Sequence, residues 1–194
     1  TGAQIPSEPI IFMKATTSIG GPNDDIMIPR HSTKLDYEAE LGVVIGTKAR
    51  YVSEEKALDY VAGYTVVNDV SERAFQMQSS QWDKGKGCDT FGPIGPWLVT
   101  TDEIPNPQTL DIWLDVNTER RQTSNTKNMI FSCAKLVSYC SQYMTLLPGD
   151  IITTGTPSGV ALGIKDRDAY LKSGDVVTLA IKGLGEQRQK VVPT

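Results

Sequence analysis

Short apolar runs recur along this chain, and Gly or Pro closes most of them within a few residues. Residues 10–14 (IIFMK) read as a strand. Residues 38–45 (EAELGVVI) begin by alternating and then turn apolar on both faces, which predicts a strand entering the core. Residues 61–68 (VAGYTVVN), 110–117 (LDIWLDVN), 151–154, 176–181 and 189–192 complete the predicted strands, with a turn at Glu119 and Arg120. Helical periodicity is scarcer. Ser53 before Glu54 and Glu55 predicts a short capped helix, with acids where the helix dipole favours them. Residues 71–81 also look helical, and residues 85–96 form a Gly- and Pro-rich loop. The clearest helix spans 126–144, where Ile130, Cys133, Ala134, Val137, Cys140 and Met144 recur at three- and four-residue steps in one stripe. Leu147 to Asp150 (LPGD) ends it. Many short strands with few helices predict an α+β, mainly β fold. A doubly wound sheet would need regular strand–helix alternation, which is absent.

Composition narrows the classes. A chain of 194 residues is one domain by length and long enough to bury a core without disulfide or metal staples. With 39% hydrophobic and 22% charged residues it is not a disordered sequence. A net charge of -4 argues against nucleic-acid binding. No apolar run approaches the roughly 18 residues of a membrane span. The cysteines, Cys88, Cys133 and Cys140, are odd in number and lack CxxC spacing, so neither a disulfide framework nor a zinc site is expected. They read as buried small hydrophobes in a reducing compartment, which predicts a cytoplasmic protein. The chain opens Thr-Gly-Ala-Gln without an initiator Met, and residues are expected to precede Thr1 in the parent protein.

Four segments carry candidate chemistry. In residues 36–45 (DYEAELGVVI), alternation along a strand puts Glu38 and Glu40 on one face, with Gly42 following and leaving room beside them. Adjacent carboxylates repel unless a cation sits between them; a solvated edge strand is the plainer alternative. In residues 68–76 (NDVSERAFQ), Asp69 ends an apolar strand, and Arg73 and Gln76 share a helix face. A helix cap and a surface charge are the plainer readings of Asp69 and Arg73. Together Glu38, Glu40 and Asp69 make an all-oxygen set suited to Mg²⁺, Mn²⁺ or Ca²⁺ rather than Zn²⁺. Lys86 lies between Gly85 and Gly87, so it can approach a ligand closely. Residues 153–159 (TTGTPSG) form a strand-to-turn that can offer a hydroxyl and backbone N–H groups to an anionic oxygen. His31, the only histidine, follows Pro29 and Arg30 in a polar loop and reads as a surface residue.

The blocks IIFMK, KLDYEAELGVVIG, YTVVNDVSERAFQ, GKGCDTFGPIGPW and GDIITTGTPSGV, in this order, resemble the fumarylacetoacetate hydrolase family over essentially the whole chain. The resemblance implies a mixed β-sandwich roll, one catalytic domain over residues 1–194, and a homodimer. It also implies that Glu38, Glu40 and Asp69 are divalent-metal ligands, that Lys86 is an active-site lysine, and that Arg73, Gln76 and Thr156 contact substrate. The implied substrate is a small anionic 2-oxo acid, and neither a nucleic acid nor a membrane is an expected partner. The implied activity is Mg²⁺-dependent cleavage of the C3–C4 bond of a 2,4-diketo acid through a metal-bound enolate. Oxaloacetate decarboxylation, keto–enol isomerisation and non-catalytic keto-acid binding are the alternatives. The strings CDTFGPIGPW and GLGEQRQ resemble a subgroup labelled ureidoglycolate lyase, some of whose members act on 2,4-diketo-3-deoxy sugar acids. The family's Asn-Tyr-x-x-His-x-x-Glu segment, which acts on water, is not in this sequence. A general base is therefore expected upstream of Thr1, on a lid above a metal cavity open to solvent, with residues 1–9 leading toward its mouth.

Overall fold

The computed structural model describes residues 2, 4–165 and 169–194. Its strands are β1 (Ile19–Gly20), β2 (Ile26–Ile28), β3 (Leu35–Asp36), β4 (Ala39–Ile45), β5 (Val61–Asn68), β6 (Ser71–Glu72), β7 (Gly92–Pro93), β8 (Val99–Thr100), β9 (Asp111–Val116), β10 (Glu119–Asn125), β11 (Ile151–Thr153), β12 (Val176–Ile181) and β13 (Gly185–Pro193). The helices are α1 (Arg73–Gln76), α2 (Asp83–Lys86) and α3 (Cys133–Tyr143), with short 3-10 turns such as Glu54–Tyr60. One sheet runs β10-β9-β12-β13-β2 and another β11-β4-β5-β8; the pairs β1-β7 and β3-β6 flank them. Parallel pairing of β13 with β2, and of β1 with β7, makes the architecture mixed, as expected of an α+β, mainly β fold.

The two larger sheets face each other, and β4 and β5 pack on β9, β12 and β13. This explains the apolar run of β4, which is buried along its whole length because it lies inside one sheet and under the other. Strand β9 instead alternates: Ile112, Leu114 and Val116 point into the shared core, while Asp111 is exposed. Leu114 lies fully buried between β10 and β12. Leu114→Ala is expected to cost about 2–5 kcal/mol in chemical denaturation. A loss below about 1 kcal/mol would contradict its place at the centre of the sandwich.

Several local expectations change in tertiary context. Residues 10–14 form no strand; Phe12 and Lys14 turn partly inward while Met13 stays exposed, and side-chain contacts rather than a ladder hold the segment. Residues 71–81 are not one helix. Strand β6 comes first, and the Glu72 carboxylate accepts from the Ala74 N–H to start the single turn of α1. The first two residues of the predicted loop at 85–96 belong instead to the helical turn α2, which ends on Lys86. Helix α3 starts only at Cys133, where Ser132 accepts from the Lys135 N–H; Ile130 lies outside it and is exposed. The hairpin turn falls on Asn117 and Thr118, with Asn117 at φ 56, and not on Glu119 and Arg120. Strand β10 (ERRQTSN) carries no apolar alternation, and Gln122 is its only buried residue. The predicted strand at 189–192 is the end of β13, which starts at Gly185. No helix among the described residues is long and apolar enough to cross a membrane.

Candidate active site

Strand register builds the centre of the site. Ala39 pairs with Asn68 in the β4–β5 ladder, and the Asp69 N–H donates to the Glu38 carbonyl at 2.9 Å. That pairing brings Asp69 beside the Glu38–Glu40 face. One carboxylate oxygen from each of Glu38, Glu40 and Asp69 lies within 4.8 Å of the others, and all three residues are buried. Neither plainer reading describes them: no edge strand solvates the two glutamates, and Glu72, not Asp69, caps α1. The space over Gly42 is not left for a ligand. A Cβ there would lie 2.8 Å from the Thr65 and Val67 methyl groups, so Gly42 lets β5 pack close.

Buried cations surround the carboxylates. Lys86 is 2% exposed; its Nζ contacts Glu38 Oε2 and lies 2.5 Å from Asp69 Oδ2. Arg73 donates from Nε to Asp36 Oδ2 at 2.8 Å, from Nη1 to Gln76 Oε1 at 2.9 Å and from Nη2 to Glu38 Oε1 at 2.5 Å. Burial pushes the Glu38 pKa up, but Lys86 and Arg73 outweigh it and hold the carboxyl down at about 2. Glu40 has no such partner. Burial, reinforced by Asp69 and Glu38, raises it to about 8 against the pull of Lys86 and the Gly155 N–H. Burial alone would lower Lys86, yet Glu38 and Asp69 hold it above its ordinary value, so it stays charged. The site thus gathers buried carboxylate oxygens, and Glu40 has no ion-pair partner among the described residues, which suits a hard divalent cation.

The turn after β11 closes one side. The Gly155 N–H donates to Glu40 Oε2 at 2.8 Å, and the Thr156 hydroxyl donates to the Ala39 carbonyl at 3.0 Å. Gln122, aimed inward past the bulge in β10, accepts from the Ala39 N–H at 3.0 Å and donates to Thr156 Oγ1 and the Pro157 carbonyl, each at 2.8 Å. One buried amide therefore fixes the turn to the backbone between Glu38 and Glu40. Gly159 ends the turn at φ +108, where a Cβ would stand 2.0 Å from the Arg121 carbonyl oxygen. Gly159→Ala is expected to destabilise the fold by at least ~2 kcal/mol, the sum of strained backbone and clash. An unchanged melting temperature would mean that this turn is held elsewhere.

On the other side, Asn68 accepts from the Glu38 N–H at 3.1 Å and donates to Gln189 Oε1 at 3.1 Å, tying the site to β13. Gln189 and Gln187 continue this buried ladder to the Pro22, Val66 and Gly95 carbonyls. The amides are satisfied, so the ladder adds rigidity without an unpaired polar group.

The expectation of a cavity open to solvent is overturned. Residues 10–14 lie over the carboxylates. Lys14 Nζ donates to Asp69 Oδ1 at 2.6 Å, and the Phe12 ring centroid lies 4.9 Å from Lys86 Nζ. Glu8 turns away and accepts from the Tyr139 hydroxyl at 2.9 Å, so this part of residues 1–9 rests on α3; Thr1 and Ala3 lie outside the described residues. His31 is exposed, at φ 65. Lys84 is exposed and donates to Gln78. The cysteines are free and only Cys133 is fully buried; burial pushes its thiol up to about 12.

A sequence profile described as "Fumarylacetoacetate (FAA) hydrolase C-terminal" matches residues 2–192. The chain belongs to the fumarylacetoacetate hydrolase family. A Burkholderia multivorans relative carrying a hydrolase name is 61% identical over 189 residues, which are 97% of this chain and 67% of that protein. The chain thus spans about two thirds of the length of such relatives. Among solved structures, the fumarylacetoacetate hydrolase of Exiguobacterium antarcticum aligns at TM-score 0.91 and 40% identity, covering 95% of this chain and 66% of that one. The 5-carboxymethyl-2-hydroxymuconate delta-isomerase of Mycobacterium smegmatis aligns at TM-score 0.89 and 38% identity, covering 100% and 73%. The fold is that of family hydrolases and isomerases, and the family carries in this chain a buried acidic triad able to hold a metal ion.

Proposed function

We propose that this protein is a divalent-metal-dependent hydrolase that cleaves the C3–C4 bond of a 2,4-diketo acid, either an acylpyruvate or a 2,4-diketo-3-deoxy sugar acid. The observation that carries this reading is the convergence of Glu38, Glu40 and Asp69 beside a buried, charged Lys86. The three carboxylates would hold Mg²⁺, and Mn²⁺ or Ca²⁺ would suit the same oxygen donors. A metal bound there supplies a Lewis acid for the 2-oxo acid head and offsets the negative charge that develops as the C3–C4 bond breaks.

The chain's own residues divide the remaining work. An ammonium has three donors, and protein acceptors take two from Lys86, which leaves one for a substrate oxygen. Asp36, Glu38 and Gln76 take three of the five N–H donors of Arg73, so its plane is locked while two donors remain for a carboxylate. Gln76 spends its oxygen on Arg73 and keeps its amide N–H groups for substrate. Thr156 gives its hydroxyl proton to Ala39, so a substrate contact from it falls to its backbone N–H. The same reading includes a cytoplasmic homodimer. Free cysteines agree with a reducing compartment. Trp97 and Leu98 stand exposed beside edge strand β8, an apolar surface that a second copy would cover.

A spectrophotometric screen of acylpyruvates, diketo sugar acids and oxaloacetate, each with Mg²⁺ and with EDTA, tests this function. Metal-dependent loss of a diketo acid with release of pyruvate is the expected result. The second reading is a keto–enol isomerase, favoured by the isomerase names of two structural neighbours, or an oxaloacetate decarboxylase at the same residues. Turnover confined to oxaloacetate or to tautomers would select it, and ligand binding without any turnover would leave a binding protein.

A further inference from the structure

We propose that Lys14 is a positioning residue that sets the charge of this site without touching substrate; the inference rests on reading Glu38, Glu40 and Asp69 as a cation site. Lys14 Nζ donates to Asp69 Oδ1 at 2.6 Å, to the Val70 carbonyl at 3.3 Å and to the Lys86 carbonyl at 2.5 Å. Three acceptors face it, so the nitrogen needs three N–H groups, which only the charged ammonium provides. All three are committed to protein, so none is left for a ligand. This separates Lys14 from Lys86, which keeps one donor free. One ammonium thereby joins the Asp69 carboxylate to the backbone of the last residue of α2, the residue that carries the other site ammonium.

The charge count gives Lys14 a second task. Asp36, Glu38, Glu40 and Asp69 are the four carboxylates gathered at the site, with Arg73 and Lys86 as two cations among them, whereas the buried Glu72 carboxylate is turned to the N–H groups of Lys34 and Ala74. With all four ionised, a bound divalent cation would bring that set only to neutrality. Lys14 adds one positive charge, which complements the single carboxylate of a 2-oxo acid head. It comes from the segment at residues 10–14, so that segment contributes charge to the site as well as cover.

The test uses the full-length protein, with Lys14→Met and Lys14→Arg compared to wild type. Mg²⁺ binding, oxalate binding at saturating Mg²⁺, and melting temperature are measured for each. In Lys14→Met, oxalate affinity should fall about tenfold or more, while Mg²⁺ binds as tightly as before or more tightly, because Asp69 has lost a competing cation. Lys14→Arg keeps the charge and should hold oxalate affinity within about threefold of wild type. A residue that only braces the fold would weaken both ligands together, and that result overturns the proposal. So does an unchanged oxalate affinity in Lys14→Met. If Lys14→Met does not fold, Lys14→Arg decides: a normal melting temperature with lost oxalate binding also overturns it. Absence of Mg²⁺ binding in wild type would overturn the cation-site reading and this proposal with it. Failure of the Lys14 role alone leaves wild-type binding intact.

Discussion

Asp69→Asn is expected to weaken divalent-ion binding by about 100-fold or more, with a comparable loss of metal-dependent turnover. Asp69 sits where three dependencies meet. Its Oδ1 accepts from Lys14, its Oδ2 accepts from Lys86, and its backbone N–H is tied to the Glu38 carbonyl. The substitution keeps the shape but removes one of the three carboxylates, and its amide nitrogen would point a donor at an ammonium. Differential scanning fluorimetry with and without Mg²⁺ reads the effect. Wild type should gain about 2.7 kcal/mol of apparent stability at a Mg²⁺ concentration a hundred times Kd. Asp69→Asn should show almost none of that gain. Asp83→Asn is the control, since Asp83 is exposed in the first turn of α2. A variant with an undiminished Mg²⁺ response would place the cation elsewhere.

Lys86→Ala should lower kcat by about 10²-fold or more at saturating Mg²⁺, on the scale of removing one donor from a developing oxyanion. The same change strips a counter-charge from Glu38 and Asp69 in a buried setting, so the metal-free protein should also lose about 3–5 kcal/mol of stability. Mg²⁺ should restore much of the stability, because a divalent ion returns positive charge to the carboxylates. It should not restore turnover, because the free donor is gone. That split between recovered melting temperature and unrecovered kcat separates a catalytic role from a folding role. Lys84→Ala, two residues away and exposed, should change neither by much. Near-wild-type kcat in Lys86→Ala would remove this lysine from the reaction.

The candidate site was legible where its chemistry lies in short spacings. Glu38 and Glu40 were readable because a strand puts alternate residues on one face, whatever the fold does next. Asp69 was readable from its place at the end of an apolar strand, and Lys86 from its flanking glycines. Asp36 stood in the same acidic run, two residues before Glu38, but its task of clamping Arg73 shows only when the Arg73 side chain reaches back across 37 positions. Lys14 carried no local signal beyond an apolar neighbourhood, and Gln122 looked like one more polar residue in an exposed strand.

The sequence by itself determined the α+β, mainly β class, the core strands and the membership of this chain in its family, because periodicity and motif spacing are properties of bonded neighbours. It also placed two carboxylates side by side. Tertiary structure alone decided that residues 10–14 cover the site instead of pairing in a sheet, and that helix formation starts at Cys133. It alone assigned Gln122, Asn68 and Gln189 to brace the carboxylates. The physical reason is distance along the chain. Lys14 meets Asp69 across 55 residues, Gln122 meets Ala39 across 83 and Asn68 meets Gln189 across 121. Contacts of that span exist only once two sheets have closed over a common core and excluded the water that would otherwise satisfy each polar group on its own.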